Sequence, residues 1–487
     1  MEERVVKRLV EIVGPQAVLS SEEERLRHSC DATRRSVLPD LVVRPRNVDE
    51  VAAIARLCTE ERISLTPRGA GTGLSGGAVP ARGGIVVSLA DMRKVRETAA
   101  EDLYAICEAG AVTEEFQKTV ETASLFYPPG PASQKYCTVG GNIATAAVGF
   151  RCLKYGVTKN YLMGLEVVLP TGEILKTGAK TVKSVAGFDL TRLICGSEGT
   201  LAIVTAAILR LIPLPEHRET ILAGFDTVQD AAAASASVIA SGVTPTALEL
   251  MDPVSVSAAL REAGSPGWVG AQAERVQSAA QDRRDAETLE ALKRTLARTE
   301  GCTLLLAETD GFKEAAENEA AIIEDVWKKA GARFVKRSSD ETEREALWEG
   351  RRRVLAGLAN LKPITILENV IVPRSRIVEM VRSVAATADR RGLTIAIFGH
   401  AGDGNLHPTI LVDAPFDDRA RDVEAAVSEI LDAALSFGGT LSGEHGIGIE
   451  KAAFLRKEVG DAAFDTMARL KKAFDPEGIL NPGKLLV

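Results

Sequence analysis

Three of the five histidines in this chain of 487 residues lie in two short glycine-rich segments near the C-terminus. His400 and His407 bracket one segment, and Glu444 directly precedes His445 in the other. Imidazole nitrogens with one carboxylate oxygen suit Zn²⁺, Mn²⁺ or Fe²⁺, and histidine suits proton transfer near neutral pH. We predict that His400, His407 and Glu444 bind a divalent metal, zinc first, and that His445 is a base. The alternative is two loop histidines and an exposed Glu-His dipeptide.

The two segment-bracketing histidines are expected on one β-hairpin. Residues 394–398 read as a short buried strand, 402–405 as a turn and 406–412 as a returning strand. Such a hairpin places positions 400 and 407 on either side of one turn, close enough to bind the same ion. Three protein ligands leave coordination positions open, which is typical of catalytic metal sites.

The densest glycine cluster runs from Pro67 to Pro80 and contains a formal Gly-x-Gly-x-x-Gly at Gly71, Gly73 and Gly76. In a Rossmann fold this pattern opens a helix, whereas Pro80 and the glycines that follow would break one here. The successive backbone N–H groups can instead hold a pyrophosphate as an anion nest. The alternative is a flexible surface loop.

Two further loops have the same character, at 128–145 and 196–203. Each is rich in glycine and hydroxyl side chains, and each is attached to a predicted strand. Three such loops in order favour one extended ligand, such as a dinucleotide, that crosses several loop tips.

Composition excludes several classes of protein. A net charge of −8 and a pI near 5.5 argue against nucleic-acid binding. Seven scattered cysteines without a Cys-x-x-Cys pair indicate free thiols in a reducing compartment and no iron–sulfur cluster. We see no secretory signal and no apolar run long enough to span a membrane. A cytoplasmic location is expected, with docking at a membrane through a partner left open.

The length predicts two or three domains. We place a helical segment at 1–37, a β-rich ligand-binding domain at 38–215, a substrate or cap domain with long helical patterns at 216–425, and a helical C-terminal segment that completes the active site and the ligand site at 426–487. An Ala/Arg/Glu-rich stretch at 271–300 is predicted to form exposed helices.

One arginine is predicted on an otherwise apolar helical stripe. In a helix over 341–360, Leu347, Val354 and Leu358 share a face with Arg351. A buried arginine is costly unless paired, and its planar fork suits a carboxylate. We favour a substrate carboxylate as its partner, and an internal salt bridge is the alternative.

These motifs resemble the vanillyl-alcohol oxidase / p-cresol methylhydroxylase flavoproteins, and within them the FAD-linked D-2-hydroxyacid and D-lactate dehydrogenases and the FAD subunit of glycolate oxidase. The resemblance runs from about residue 38 to the end and includes 154–158, 180–192 and 481–483. It implies an α+β fold, in which a bipartite FAD-binding domain precedes a C-terminal antiparallel-sheet domain with helices. It also implies the metal and base roles given above and a substrate-binding role for Arg351; Thr409 is assigned to the substrate as well.

The FAD contacts that the resemblance implies lie in the glycine-rich loops and the C-terminal tail. They are Pro67, Arg68, Gly69, Ala70, Gly71, Thr72, Gly73, Leu74, Ser75, Gly76, Pro131, Thr138, Gly141, Asn142, Ala144, Thr145, Gly149, Glu198, Gly199, Ile203 and Asn481. The first loop has no histidine or cysteine, so we predict non-covalent FAD, although Cys137 and Cys152 are formal candidates for a covalent link.

The activity implied is metal-assisted oxidation of a D-2-hydroxyacid by hydride transfer to flavin. Electrons would leave to an electron-transfer flavoprotein, an iron–sulfur subunit or a quinone-linked system, and a homodimer is left open. Asn369 stands where relatives commonly have an acidic residue, and Leu367 lies near the place of a lysine in relatives that act on diacids. The absence of that lysine favours lactate, glycolate or a longer apolar substrate.

Phe150 replaces a frequent glycine. The competing hypotheses are a metallohydrolase and an FAD-containing electron-transfer subunit.

Overall fold

The computed structural model describes residues 1–263, 299, 301–413 and 419–486, and these fall into two compact units. The first unit comprises Met1–Gly149, Gly156–Leu214 and Glu444–Val487. The second comprises Phe150–Tyr155 and Pro215–Gly443. The exposed helices predicted at 271–300 lie outside the described residues, apart from Thr299.

The first unit contains three sheets. In the first sheet the strands follow the order Val18–Leu19, Leu41–Val43, Ile85–Ser88 and Leu65–Arg68, and the last three are parallel. The second is an antiparallel sheet with the order Val95–Ala99, Tyr104–Glu108, Ile203–Arg210, Leu162–Val168 and Ile174–Gly178. A third, short sheet pairs Leu125–Phe126 with Ile212–Pro213.

Helices of the first unit pack around these sheets. The α-helices are Glu3–Val13, Glu22–Arg27, Val48–Glu60, Thr113–Glu121, Val139–Thr145, Leu190–Ile194 and Ala452–Phe474, and the 3₁₀ turns are Pro15–Ala17 and Thr158–Tyr161. The longest helix is kinked at Gly460, whose φ of 77° no helical residue adopts. The N-terminal segment 1–37 is not wholly helical, because Val18–Leu19 forms a strand of the first sheet.

The second unit is built on one antiparallel sheet. Along it the strand order is Phe334–Arg337, His217–Phe225, Thr303–Gly311, Ala247–Met251, Thr394–His400, Asn405–Val412 and Ile364–Leu367, and Val370–Ile371 also pairs with Asn405–Val412. The helices are Cys152–Tyr155, Val228–Ala240, Pro253–Ala263, Lys313–Lys329, Glu341–Arg352, Val354–Ala359, Ile377–Arg391 and Ala420–Ser436, with a 3₁₀ turn at Arg374–Arg376.

One face of this sheet carries a large apolar cluster, with members such as Leu222, Leu306 and Phe398 from the strands and Leu347 and Trp348 from a helix. Side chains alternate between the two faces of a strand, so residues paired across neighbouring strands share this face. The polar residues discussed below project into the same layer.

No helix in the described part of the chain is both long and apolar enough to cross a lipid bilayer.

Candidate functional site

His400 and His407 lie on adjacent strands, on the hairpin that the sequence predicts. In the antiparallel register, Phe398 faces His407 and His400 faces Asn405. The two imidazole rings are 5.4 Å apart between centroids and nearly perpendicular, and both side chains are buried. The turn between them depends on Gly404, because its φ is 88° and a Cβ there would lie 2.0 Å from the Val372 carbonyl oxygen.

Glu444 completes a group with metal-ligand spacing. One ligand atom from each of His400, His407 and Glu444 lies within 4.8 Å of the others. The donor set, two imidazoles and a carboxylate, fits a divalent transition metal with coordination positions left for a small molecule. Among the described residues, His217, Glu219 and Glu317 meet the same spacing. That group is only partly buried, and its histidine already contacts Glu219 at 2.8 Å.

Asn369 holds the chain just before Glu444. Its amide oxygen accepts hydrogen bonds from the Gly443 backbone N–H at 2.7 Å and from the Ser442 hydroxyl at 3.1 Å. Its amide nitrogen donates to the side chain of Asn405 at the tip of the hairpin. The fully buried side chain of Asn369 therefore connects the hairpin to Ser442 and Gly443, the two residues that precede Glu444.

His445 follows Glu444 directly, and its Nε2 lies 3.9 Å from a carboxylate oxygen of Glu444. Only 8% of the imidazole is exposed. Sequence reasoning assigned this histidine as a base, and that role stays a prediction.

Arg351 is buried, as the apolar stripe predicts, but the helix that carries it ends at Arg352 and a second helix begins at Val354. Its Nη2 lies 2.7 Å from a carboxylate oxygen of Glu249. The internal salt bridge, the alternative in the sequence analysis, is thus present. Contact with a substrate remains a prediction.

Thr409 lies two residues after His407 on the same strand and is fully buried. It therefore shares the face of His407. Its hydroxyl donates to the His407 carbonyl oxygen at 3.2 Å. Leu367 is its partner across the neighbouring strand, which places an apolar residue beside it.

In the first unit, the glycine cluster begins at the end of strand Leu65–Arg68 and is not followed by a helix; the next one starts at Thr113. The Rossmann interpretation is thereby excluded. The Arg68 guanidinium donates to the Cys30 carbonyl oxygen at 2.6 Å. This side chain therefore links the glycine-rich loop to the N-terminal segment of the protein. Burial lowers its pKa, although Cys30 and Asp31 oppose that effect.

The loops predicted to bind FAD meet one another closely. A Cβ on Gly69 would lie 2.3 Å from the Thr138 hydroxyl, and one on Gly199 would lie 2.8 Å from the ring of Pro67. Thr138 caps helix Val139–Thr145, where its hydroxyl accepts from the Gly141 N–H. Small residues at these positions let the three backbone segments approach one another.

The C-terminal tail closes this group of loops. The Asn481 amide donates to the carbonyl oxygens of Glu198, at 2.7 Å, and Gly77, at 3.0 Å. The Glu198 N–H donates to the Ala144 carbonyl oxygen at 2.7 Å. Loops that are far apart in sequence are thus joined by hydrogen bonds to main-chain carbonyl oxygens, two of them from the Asn481 side chain.

The side chain of Glu198 has a role that the sequence did not reveal. Its carboxylate accepts from the backbone N–H groups of Ile447 and Gly448, both at 2.7 Å. Burial raises the pKa of Glu198 to about 7, although these two hydrogen bonds and Lys484 act in the opposite direction. Glu198 thus tethers the segment that follows His445.

Two other predicted FAD contacts also have partners inside the first unit. The Asn142 amide donates to the Thr113 hydroxyl at 2.8 Å. A Cβ on Gly149 would lie 2.0 Å from the Gly130 carbonyl oxygen, so that position needs glycine. Both residues shape the loops, and their direct contact with FAD stays a prediction.

The thiol of Cys137 is poorly placed for a covalent flavin link. It is buried and lies 3.3 Å from the Thr113 hydroxyl. Burial raises its pKa, against the effect of its hydrogen bonds, and a protonated thiol is a weak nucleophile. Cys152 is only partly buried.

Comparison with known families identifies the class of protein. The family model described as the C-terminal domain of FAD linked oxidases matches residues 214–485, and the model described as an FAD binding domain matches residues 39–178. The chain therefore belongs to the FAD-linked oxidase family and is an FAD-binding oxidoreductase.

Individual relatives agree with this assignment. The chain is 41% identical over 482 residues to the glycolate oxidase subunit GlcD of Bacillus subtilis, covering 99% of this chain and 96% of that protein. It is 34% identical over 482 residues to the D-lactate dehydrogenase of Anaerostipes hadrus, covering 97% and 95%.

The solved structure of p-cresol methylhydroxylase with substrate bound has the same fold, with a TM-score of 0.79 at 16% identity, covering 99% of this chain and 96% of that one. The predicted family and fold are confirmed. Membership of an FAD-linked family also removes the metallohydrolase hypothesis.

Two residues of the site were missed by sequence reasoning. Asn369 was noted only as a departure from relatives, and Glu249 was not considered. A weak signal existed for Glu249, which is the only charged residue in the strand Ala-Leu-Glu-Leu-Met. An ionisable group in a strand that is buried along its whole length needs a partner.

Proposed function

We propose that this protein oxidises a D-2-hydroxyacid such as D-lactate, glycolate or a longer apolar analogue to the 2-oxoacid, with assistance from a divalent metal. The observation that carries this proposal is the grouping of His400, His407 and Glu444 next to His445 in an FAD-linked chain. The names of the relatives, glycolate oxidase subunit and D-lactate dehydrogenase, support the substrate class.

The first unit supplies the groups that would hold FAD without a covalent link. Its glycine-rich loops present backbone N–H groups to the pyrophosphate, and the close approach of Gly69 to Thr138 leaves no room for larger side chains there. Bound FAD would supply the hydride acceptor.

His400, His407 and Glu444 would hold the metal. A zinc ion, or Mn²⁺ or Fe²⁺, would supply positive charge that lowers the pKa of the substrate hydroxyl and orients it. The imidazole of His445 then accepts the hydroxyl proton. Arg351 and the Thr409 hydroxyl would orient the substrate, the guanidinium through the substrate carboxylate.

The apolar neighbourhood of Thr409 favours a substrate with one carboxylate. Leu367 pairs with Thr409 across the sheet, and its side chain offers no charge to a second carboxylate. Lactate and its longer apolar analogues satisfy this environment better than a diacid.

A second chain is proposed as the electron acceptor. The Bacillus subtilis relative is named as a subunit of glycolate oxidase, and the spaced cysteines that hold iron–sulfur clusters do not occur in this sequence. An electron-transfer flavoprotein, an iron–sulfur subunit or a quinone-linked protein would meet the need.

The test is an anaerobic titration of the purified protein with D-lactate, L-lactate and glycolate, followed by visible flavin absorbance. We expect bleaching by D-lactate or glycolate, its loss in His445→Ala, and no change in His217→Ala as the matched control. Bleaching that survives both His445→Ala and metal chelation would contradict the proposed chemistry. Bleaching by L-lactate alone would contradict the handedness.

A further inference from the structure

A completely buried carboxylate lies behind the histidine pair. Glu249 is in strand Ala247–Met251, where the flanking residues are apolar, and it is opposite His400 on the neighbouring strand. It therefore projects into the apolar layer on the same face as both histidines. A charge in such a layer is costly without partners.

Each oxygen of this carboxylate lies close to a nitrogen of a basic side chain. One oxygen lies 2.5 Å from Nδ1 of His400, and the other lies 2.7 Å from Nη2 of Arg351. The guanidinium of Arg351 can only donate hydrogen bonds, so the oxygen that faces it is an acceptor.

The contact determines which nitrogen of His400 faces the metal. With Arg351 beside its other oxygen, the carboxylate acts as an acceptor, so Nδ1 of His400 is the donor in the 2.5 Å contact and Nε2 keeps its lone pair. A ligating histidine commonly donates its other N–H to a carboxylate, which fixes the tautomer and ring orientation. The Phe150 ring lies 5.5 Å from the same imidazole and limits its rotation.

The same carboxylate fixes Arg351. The guanidinium carbon lies 4.9 Å from the ring centroid of Phe398 and 5.4 Å from that of Phe150. Among the described residues the buried Nε of Arg351 has no hydrogen-bond partner. The arginine is thus held on one side and keeps donor capacity for an anion.

We propose that Glu249 is a positioning residue for two groups that would bind the substrate. It holds His400 with Nε2 directed to the metal, and it holds Arg351 in place for the substrate carboxylate. One buried side chain would then set the spacing between metal and arginine that a 2-hydroxyacid must bridge. This inference rests on the proposed metal-assisted function.

The test compares Glu249→Gln and Glu249→Asp with Asp252→Asn in FAD-loaded protein. Asp252 is also buried, and it accepts from the Ser255 and Ile397 N–H groups. Neither hydrogen bond involves a histidine, so replacing Asp252 perturbs the same sheet without removing a contact of His400. Zn²⁺ affinity is measured by competition with a chelating dye. We expect both Glu249 variants to bind Zn²⁺ about 10- to 100-fold more weakly, as for other outer-sphere partners, with unchanged flavin content.

The control variant should lose stability but keep the Zn²⁺ affinity of its folded fraction. Equal Zn²⁺ affinity in wild type and both Glu249 variants would overturn the inference. An equal loss in Asp252→Asn would also overturn it, because the effect would then be general disruption.

A readout without metal separates this inference from the proposed function. In metal-free protein labelled with ¹⁵N-histidine, NMR reports the tautomer of each of the five histidines. We expect His400 as the Nδ1–H tautomer in wild type and a mixture in Glu249→Gln. A wild type that binds no Zn²⁺ but shows this change would refute the metal site and keep the positioning role, whereas an unchanged tautomer would refute the positioning role.

Discussion

At the scale of single residues, two buried polar side chains hold the segment that carries Glu444 and His445. Asn369 holds the chain before it through Gly443, and Glu198 holds the chain after it through Ile447 and Gly448. Their partners are backbone groups, so the tethers depend on the geometry of each side chain. Replacing either residue tests whether the segment must be fixed for the site to work.

Asn369→Ala should lower Zn²⁺ affinity by about 10-fold or more, because the approach to Glu444 loses its support. Asn369→Asp should stay close to wild type, since a carboxylate still accepts from Gly443 and Ser442 while the Asn405 amide turns to donate. Zn²⁺ competition and kcat/KM measure both effects. Indistinguishable Ala and wild-type proteins would show that this tether is dispensable.

Glu198 should make stability fall as pH rises. Its folded pKa of about 7 lies above the ordinary value of 4.5, so the contribution is fully present below about pH 4.5 and is lost as pH rises through about 7. Between these two pH values, the free energy of unfolding should fall by on the order of 3 kcal/mol because of this one group. Glu198→Gln should flatten this part of the pH dependence in urea unfolding of the FAD-free protein, and an unchanged slope would contradict the assignment.

At the scale of elements, the short segment Phe150–Tyr155 belongs to the second unit, although the chain on both sides belongs to the first. It is anchored on the sheet by Asp310, which accepts from Lys154 Nζ at 2.7 Å and from the Tyr155 hydroxyl at 2.8 Å. The anchor matters because Phe150, at the start of the segment, packs against His400 and Arg351.

Asp310→Ala should destabilise the protein by about 3 kcal/mol or more, because it breaks a buried ion pair and leaves donors unpaired. Thr246→Val is the matched control, since it removes one hydrogen bond of 2.6 Å from an uncharged donor to the same carboxylate and should cost about 1.5 kcal/mol, the low end for a hydrogen bond to a charged group. Urea unfolding measures both. Equal losses would show that the anchor works without its charge.

At the scale of the whole molecule, the residues predicted to bind FAD and the two histidines proposed as metal ligands come from different compact units. The two ligands should therefore be removable separately. The hydrogen bonds that join the loops predicted to bind FAD lie within the first unit and involve neither His400 nor His407.

Chelation should remove the metal and abolish bleaching by substrate while the flavin stays bound. Denaturation with acid should then release free flavin into the supernatant, because the link is predicted to be non-covalent. Metal analysis, substrate titration and the absorbance of supernatant and pellet measure these outcomes. Flavin that stays with the precipitated polypeptide would contradict the non-covalent link. Flavin that is lost on chelation would contradict the separate binding of the two ligands.

The sequence by itself predicted the features that are local. The hairpin of His400 and His407 follows from alternation and turn residues within 20 positions, and the exclusion of a Rossmann helix follows from Pro80 and its neighbouring glycines. The stripe that buries Arg351 was visible at helical spacing. Such patterns depend on backbone periodicity, which neighbouring residues reveal.

Only the tertiary structure decided which side chains these features meet. Glu249 contacts a histidine 151 positions away, and Glu198 contacts a backbone N–H 249 positions away. No periodicity in a single sequence links such positions, because strand order and loop packing bring them together only after folding. The choice between a substrate and an internal partner for Arg351 was open for the same reason, since the cost of its buried charge is offset by a carboxylate from a distant strand.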